Sequence, residues 1–306
     1  MHGIALKYFV EVAQAGSLSA ASRQLHVAVS AISRQIAGLE EEIGTPLFVR
    51  APRGMVLSEA GQLLLAHARR TIMESASVLH QISNLQQTPH DEIRLAASEG
   101  AARGFLAEAM AVFRNNHPHT RFRLNVVTPL EAMRLTAEGE VDLAVSFTVD
   151  PGEGVSILHS WRTPVYAIMA AGHPLAGRAA VKLPELLRYP LALTDGNSTA
   201  RHLLDRECAL EGLTLEAALS SNYSPVLHVF VRHSDAIMFA GYVSVASRLE
   251  SDGLVAVPVD SAELQSRNLQ IQTMTNRLLP PIVTHFIAHV KEVVDNIEAK
   301  RRAGVV

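Results

Sequence analysis

Five residues in one short window, Ser30, Ala31, Ser33, Arg34 and Gln35, bring hydroxyl, methyl, guanidinium and amide groups together. That mixture suits the base edges and phosphate oxygens of a DNA major groove, where guanidinium and amide groups form paired hydrogen bonds and methyls meet thymine. Arg50 and Arg53 add cations for phosphate contact. A second group sits at short polar turns farther along: Ser98, Glu99 and Gly100, Thr128 and Pro129, Ser146 and Phe147, Thr194 and Asn197, and Asn222. Short donors between a strand and a helix hold small ligands, anions especially, because the first N–H groups of the helix point into the same space. Arg103 and Arg201 are candidates to meet a ligand carboxylate. Covalent chemistry is not indicated, since no G-x-S-x-G, P-loop or H-E-x-x-H motif is present. His285 and His289 stand without an accompanying carboxylate or cysteine, and Cys208 without a visible partner, so neither metal nor cofactor is expected.

The polar window needs a helix to present it. Ser17 is a good N-cap for a helix through Leu18, Ala21 and Leu25, and His26 and Val27 break that pattern. Val29, Ile32, Ile36, Leu39 and Ile43 then recur at helical spacing, which predicts one buried stripe with the polar window facing away from it. Leu6, Phe9, Val10 and Ala13 supply a preceding helix. The result is a three-helix core carrying a helix-turn-helix over about 17–36, in a DNA-binding domain over 1–58.

The run that follows, LEEEIGTPLFVRAPRGMVLSEAG, resembles the LysR-type bacterial transcription regulators. The L-E-x-x-x-G-x-x-L-F-x-R core is Leu39, Glu40, Gly44, Leu47, Phe48 and Arg50, and the wing ends in Leu57, Ser58, Ala60 and Gly61. The resemblance is motif by motif over the first 60 or so residues and rests on length and element order beyond them. The sequence departs from the family at Val29 and Ala28, where polar residues are usual, and in the second half, where His233-Ser234-Asp235 stands in place of a Gly-x-Gly loop. The resemblance implies a winged helix-turn-helix regulator of bacterial promoters, with double-stranded DNA, a small-molecule effector and RNA polymerase as partners. It also implies pairing into a homodimer and assembly into a homotetramer.

Charge and hydropathy agree with that assignment. The net charge is −3, and Lys7, Arg23, Arg34, Arg50 and Arg53 are balanced within 1–67 by Glu11, Glu40, Glu41, Glu42 and Glu59. Bulk charge therefore gives one copy no affinity for DNA, and placed arginines and multiple copies must supply it. A single cysteine in 306 residues suits a reducing compartment, and without a signal peptide or long apolar run the expectation is cytoplasmic, with no membrane partner. From Ser58 to Gln87 no proline interrupts, and Leu65, Ala68, Ile72, Ser75, Leu79 and Ile82 alternate at spacings of three and four. That predicts a linker helix over 59–88 that pairs two copies through an a/d seam. The polar stretch from Gln86 to Asp91 reads as a hinge.

From Ile93 onward strands alternate with helices, as in βαβ units. Strand candidates are 93–97, 122–127, 142–147, 164–170, 190–194, 215–220, 236–240, 254–259 and 269–275, and the last helix begins near Pro280. This α/β order resembles a periplasmic-binding-protein-like fold of two lobes, the usual effector-binding domain of the family. Here it spans 91–302, with lobe 1 at about 91–160 and 268–302, lobe 2 at about 161–267, and crossovers near Phe147 and Arg267. The effector, with an organic acid as the candidate class, is expected between the lobes, at the strand ends named above. A two-lobed solute-binding protein or an enzyme is the alternative, and the N-terminal 87 residues speak against both.

Overall fold

A computed structural model describes residues 3–51, 54–84, 92–148, 154–196 and 198–303, and gives the backbone alone at Arg50, Ala51, Arg70 and positions 73, 74, 76, 77 and 79–84. Arg53, Asn197, the stretch 86–91 and the side chains of Arg50, Leu79 and Ile82 thus lie outside the described residues. The chain forms two compact units, Met1–Pro89 and His90–Val306.

The first unit comprises α1 (Gly3–Ala15), α2 (Leu18–Leu25), α3 (Val29–Ile43), a hairpin of β1 (Phe48–Ala51) and β2 (Gly54–Leu57), and α4 (Glu59–Asn84). Ser17 caps α2 by accepting from the Ala20 N–H at 3.1 Å, and His26 ends it in the left-handed region at φ 53°. Leu6, Phe9, Val12, Ala21, Ile32, Ile36 and Leu39 form the core, with the Phe9 and Phe48 rings 5.3 Å apart. The expected five-residue stripe of α3 is buried only in its middle. Val29 and Ile43 are 40% and 38% exposed, being the first and last residues of the helix.

The L-E-x-x-x-G-x-x-L-F signature builds the joint between α3 and the wing. Glu40 accepts from the backbone N–H groups of Leu47 at 2.8 Å and Phe48 at 3.3 Å, and Gly44 ends α3 with a left-handed φ of 77°. Ser58 donates to the Pro46 carbonyl at 2.7 Å and accepts from the Gly61 N–H at 3.0 Å, so the start of α4 is locked onto the same segment. A Cβ on Gly61 would stand 2.1 Å from the Leu47 carbonyl oxygen, so only glycine fits.

Part of the seam expected on α4 also packs within its own unit. Ala68 is fully buried and Leu65 and Ile72 partly so, all against the core of their own unit, where α4 packs on α1. Leu65 and Ile72 keep part of their surface exposed, and among the described residues of α4 the exposed large apolar side chains are Leu63 and Val78.

In the second unit the first lobe comprises β3 (Glu92–Ala97), α5 (Glu99–Ala101), which passes through a π-turn at Ala102–Leu106 into α6 (Ala107–Asn116), β4 (Arg121–Val126), α7 (Pro129–Ala137), β5 (Leu143–Thr148) and β6 (Val155–Arg162). The second comprises β7 (Val165–Ala170), α8 (Leu183–Leu186), β8 (Leu191–Thr194), α9 (Thr199–Glu211), β9 (Ala217–Ser221), α10 (Ser224–Arg232), β10 (Met238–Gly241), α11 (Tyr242–Val245) and β11 (Leu254–Pro258). The chain then returns to lobe 1 as β12 (Asn268–Met274) and α12 (Pro281–Arg302). The lobe 1 sheet runs β4-β3-β5-β12-β6, with β3 parallel to β4 and β5, and β12 antiparallel to β5 and β6. In lobe 2 the pair β8-β9 joins β10-β7-β11 through a parallel bridge from Leu191 to Ile237.

The first crossover follows Arg162, not Phe147. Phe147 lies inside β5, and the chain returns through β6, whose residues pair with β12, before it leaves the lobe. The two crossovers are tied, since the Thr163 N–H donates to the Arg267 carbonyl at 2.9 Å. Within lobe 1 the buried Asp142 carboxylate accepts from the Arg94 backbone and side chain, each at 2.8 Å, and from Arg277. Burial works against that charge, yet the two guanidinium groups hold the carboxyl below the usual carboxylate range. No helix among the described residues is long and apolar enough to cross a membrane.

Candidate nucleic-acid interface and ligand cleft

The helix-turn-helix presents α3 as the sequence implies. Ser30, Ser33, Arg34 and Gln35 are exposed and Ala31 is half-buried, while Ile32 and Ile36 anchor the opposite face. Val29, exposed in the first turn, adds an apolar group to the same surface. Turn geometry is held locally: the Ser22 hydroxyl donates to the Val27 carbonyl at 2.6 Å, and the Val27 N–H donates to the Ser22 carbonyl at 3.2 Å. This fixes the angle at which α3 leaves α2. A helix of 15 residues with a mixed donor and acceptor face is the shape and chemistry that a major groove admits.

The second unit holds a cleft of about 820 Å³ lined from both lobes. Ser98, Glu99, Gly100, Thr128, Pro129, Phe147, Thr194 and Asn222 all line it. Ser98 sits at the end of β3 and accepts from the Phe147 N–H at 3.4 Å, and Thr128 caps α7 by accepting from the Glu131 N–H at 3.3 Å. In lobe 2 the Thr194 and Ser198 hydroxyls are 2.7 Å apart, and Ser198 caps α9. The lobes also touch directly. Glu99 accepts from the Ser224 hydroxyl at 2.8 Å and its N–H at 3.2 Å, and Arg103 donates to the same hydroxyl at 3.4 Å.

Two expected residues do not reach the cleft. Ser146 is buried and stands outside the lining, because strand pleating sends it to the opposite face from Phe147. It pairs with Gln270 in β12, and its neighbour Ala144 packs under α7. Arg201, the other arginine considered for a carboxylate, binds Asp205 at 2.8 Å and the Thr194 carbonyl at 3.2 Å, and is absent from the lining. Arg103 does line the cleft.

Residues without any sequence signal complete the wall. Arg267 and His228 line it, each buried with one nitrogen that has no hydrogen-bond partner among the described residues, and so does Ser244, whose hydroxyl likewise has none there. Burial, reinforced by Arg103, pushes the His228 imidazole down to about 4, so it is neutral at pH 7. Burial alone pushes the Arg267 guanidinium down to about 9, so it is cationic there. The remaining wall is largely apolar, from Leu124, Val126, Val127, Met238 and Phe239.

Other candidates have ordinary explanations. His289 is 3.1 Å from the Ala109 carbonyl and His285 faces the His117 ring at 6.1 Å; no cluster of three metal-ligating side chains occurs among the described residues. Cys208 is buried in the lobe 2 core, and burial with three nearby carboxylates raises its thiol to about 11, far from a reactive thiolate.

Comparison with known proteins places both parts. Residues 4–62 match the model of the bacterial regulatory helix-turn-helix protein, lysR family, and residues 86–295 match the LysR substrate binding domain. The HTH-type transcriptional regulator IlvY of Escherichia coli (strain K12) is 29% identical over 201 residues, covering 65% of this chain and 67% of its own. The RuBisCO operon transcriptional regulator of Allochromatium vinosum is 25% identical over 256 residues, covering 83% and 84%. Among solved structures, a full-length OxyR variant from Pseudomonas aeruginosa aligns over 96% of this chain and 94% of its own with a TM-score of 0.65 at 17% identity. Full-length CbnR in complex with its target DNA aligns over 96% and 100% with a TM-score of 0.55 at 21% identity.

Proposed function

The chain belongs to the LysR-type family of bacterial transcriptional regulators, and we propose from that premise that it binds promoter DNA in a sequence-specific manner under control of a small molecule held in the interlobe cleft. One observation carries the reading: the ends of β3, β4 and β5 in lobe 1, with Ser98, Thr128 and Phe147, converge with those of β8 and β9 in lobe 2 on a single ligand-sized space. Ser30, Ser33, Arg34 and Gln35 read bases or backbone, with Arg50 and Arg53 on phosphates. The protein is a regulator, not an enzyme. Two copies pair so that two α3 helices enter successive major grooves, and two pairs assemble on one promoter, where contact with RNA polymerase sets the output. Pairing runs through α4, with the partly buried Leu65 and Ile72 and the exposed Leu63 and Val78 as the apolar groups it offers among the described residues.

Control follows from the lobe contact. Glu99, Arg103 and Ser224 hold the lobes together in the structure, and a ligand touching both lobes changes the balance between lobe arrangements by its difference in affinity for them. A thermal-shift screen of small organic acids and aromatic metabolites on the full chain identifies the effector, since a ligand at 100 times its dissociation constant adds about 2.7 kcal/mol of stability. Footprinting of the cognate promoter with and without that compound then tests the reading. A footprint that changes supports it, and one indifferent to a cleft-bound compound refutes it.

A further inference from the structure

Most arginines of the second unit that are partly or fully buried have an acidic partner. Arg94 and Arg277 share Asp142, Arg201 pairs with Asp205 and Arg301 with Glu298. Arg267 differs. It is 5% exposed, and no acidic side chain among the described residues forms an ion pair with it. Its guanidinium carbon lies 3.6 Å over the Phe147 ring, and Nε donates to the Thr199 hydroxyl at 3.0 Å, which fixes the plane of the group. Nη1 is fully buried and has no hydrogen-bond partner among the described residues, and the side chain lines the cleft. A Cβ at position 241 would stand 2.2 Å from Nη1, so only glycine there lets the guanidinium pack this closely.

A buried cation with an unmet donor is costly unless an anion joins it. Its surroundings favour that anion. Thr199 begins α9, a helix of 13 residues whose N-terminal N–H groups carry partial positive charge. Ser244, also on the wall, has a buried hydroxyl without a partner among the described residues. Two carboxylates line the cleft: Glu99 is occupied by Ser224, and Asp195 forms no ion pair with Arg267.

We propose that the effector is an organic anion with a compact apolar body, its charged group docked on the Arg267 guanidinium where that side chain lines the cleft, and its body against Val126, Val127, Met238 and Phe239. This rests on the cleft being the effector site. Because Arg267 belongs to the crossover that is bonded to Thr163 on the other crossover, the anion binds at the hinge between the lobes and neutralises it there. That gives charge a direct effect on lobe arrangement.

The test uses the full chain at fixed ionic strength in an anion-poor buffer, with hexanoate and its uncharged analogue hexanamide as probes and the fluorescence of Trp161 as the melting signal. Hexanoate should raise the melting midpoint in a saturable manner, and hexanamide should not. Arg267→Met, which replaces the cation by an apolar chain of similar length, should melt no lower than the parent without anion and should bind hexanoate at least about tenfold more weakly. Arg267→Lys, which keeps the charge and loses the fork, should keep a reduced response and covers the case in which the methionine variant does not fold. Equal stabilisation by both probes with no loss in Arg267→Met overturns the anion assignment and leaves the cleft intact. An absent hexanoate response together with a destabilised Arg267→Met makes Arg267 a structural strut and overturns it as well. Full hexanoate response in Ser98→Trp moves the anion out of the cleft and overturns the cleft reading itself.

Discussion

Glu40→Ala should unfold the winged domain selectively. The Glu40 carboxylate accepts from the N–H groups of Leu47 at 2.8 Å and Phe48 at 3.3 Å, and both residues are buried. Hydrogen bonds to a charged acceptor contribute about 1.5–3 kcal/mol each, and truncation leaves the donors unsatisfied. Partial exposure of Glu40 admits water to one of them, which brings the expected loss to about 2–3 kcal/mol, a shift of roughly thirtyfold or more in the unfolding equilibrium. The lone tryptophan, Trp161, belongs to the second unit, so the two units can be followed separately. In urea, helix circular dichroism should show an early transition displaced by the substitution, and Trp161 fluorescence should stay where it was. Glu40→Gln, which keeps an uncharged acceptor, should recover about half of the loss. A circular-dichroism transition that moves by less than about 0.5 kcal/mol, or a Trp161 transition that moves with it, refutes the role given to the α3–wing joint.

Arg34→Ala should weaken operator binding by at least about 1 kcal/mol in a folded protein, measured by titration at physiological salt, and unchanged affinity removes Arg34 from the interface. Asp142 loses its stabilising effect in acid. Its carboxyl is held below the unfolded value of about 3.9, so the contribution is present above that pH and disappears as pH falls through the folded value. Trp161-monitored stability should therefore drop below about pH 4, and Asp142→Asn should flatten that drop while costing about 3–5 kcal/mol at pH 7. Ser98→Trp or Thr194→Trp should abolish the ligand's effect on melting and footprint and leave basal operator binding in place; variants that respond normally to an inducer, or lose DNA binding while folded, place the effector elsewhere.

Local signals were legible in the sequence and tertiary ones were not. The Ser17 cap, the break at His26 and most of the strands from Ile93 depend on residues close in the chain, and these lie where pattern and turn chemistry place them. Strand β6 escaped notice because its burial does not alternate cleanly and its pairing with β12 slips between Ile271 and Gln272. Ser146 was misplaced by one step of the pleat, since naming a strand end does not settle which neighbour turns inward. The α4 repeat was legible as a stripe, but spacing alone does not say whether α1 or a second copy covers it. Arg267 left no trace in a polar loop, and only the fold brings Phe147, Thr199 and Gly241 around it.

Selection of random double-stranded DNA by the full-length protein, sequenced over successive rounds, tests the central claim most directly. The predicted outcome is enrichment of a motif with two inverted half-sites centred about one helical turn, or a multiple of it, apart, and loss of that enrichment in Arg34→Ala. Recovery of sequences no different from the starting pool, with binding that simply declines with salt, would contradict it.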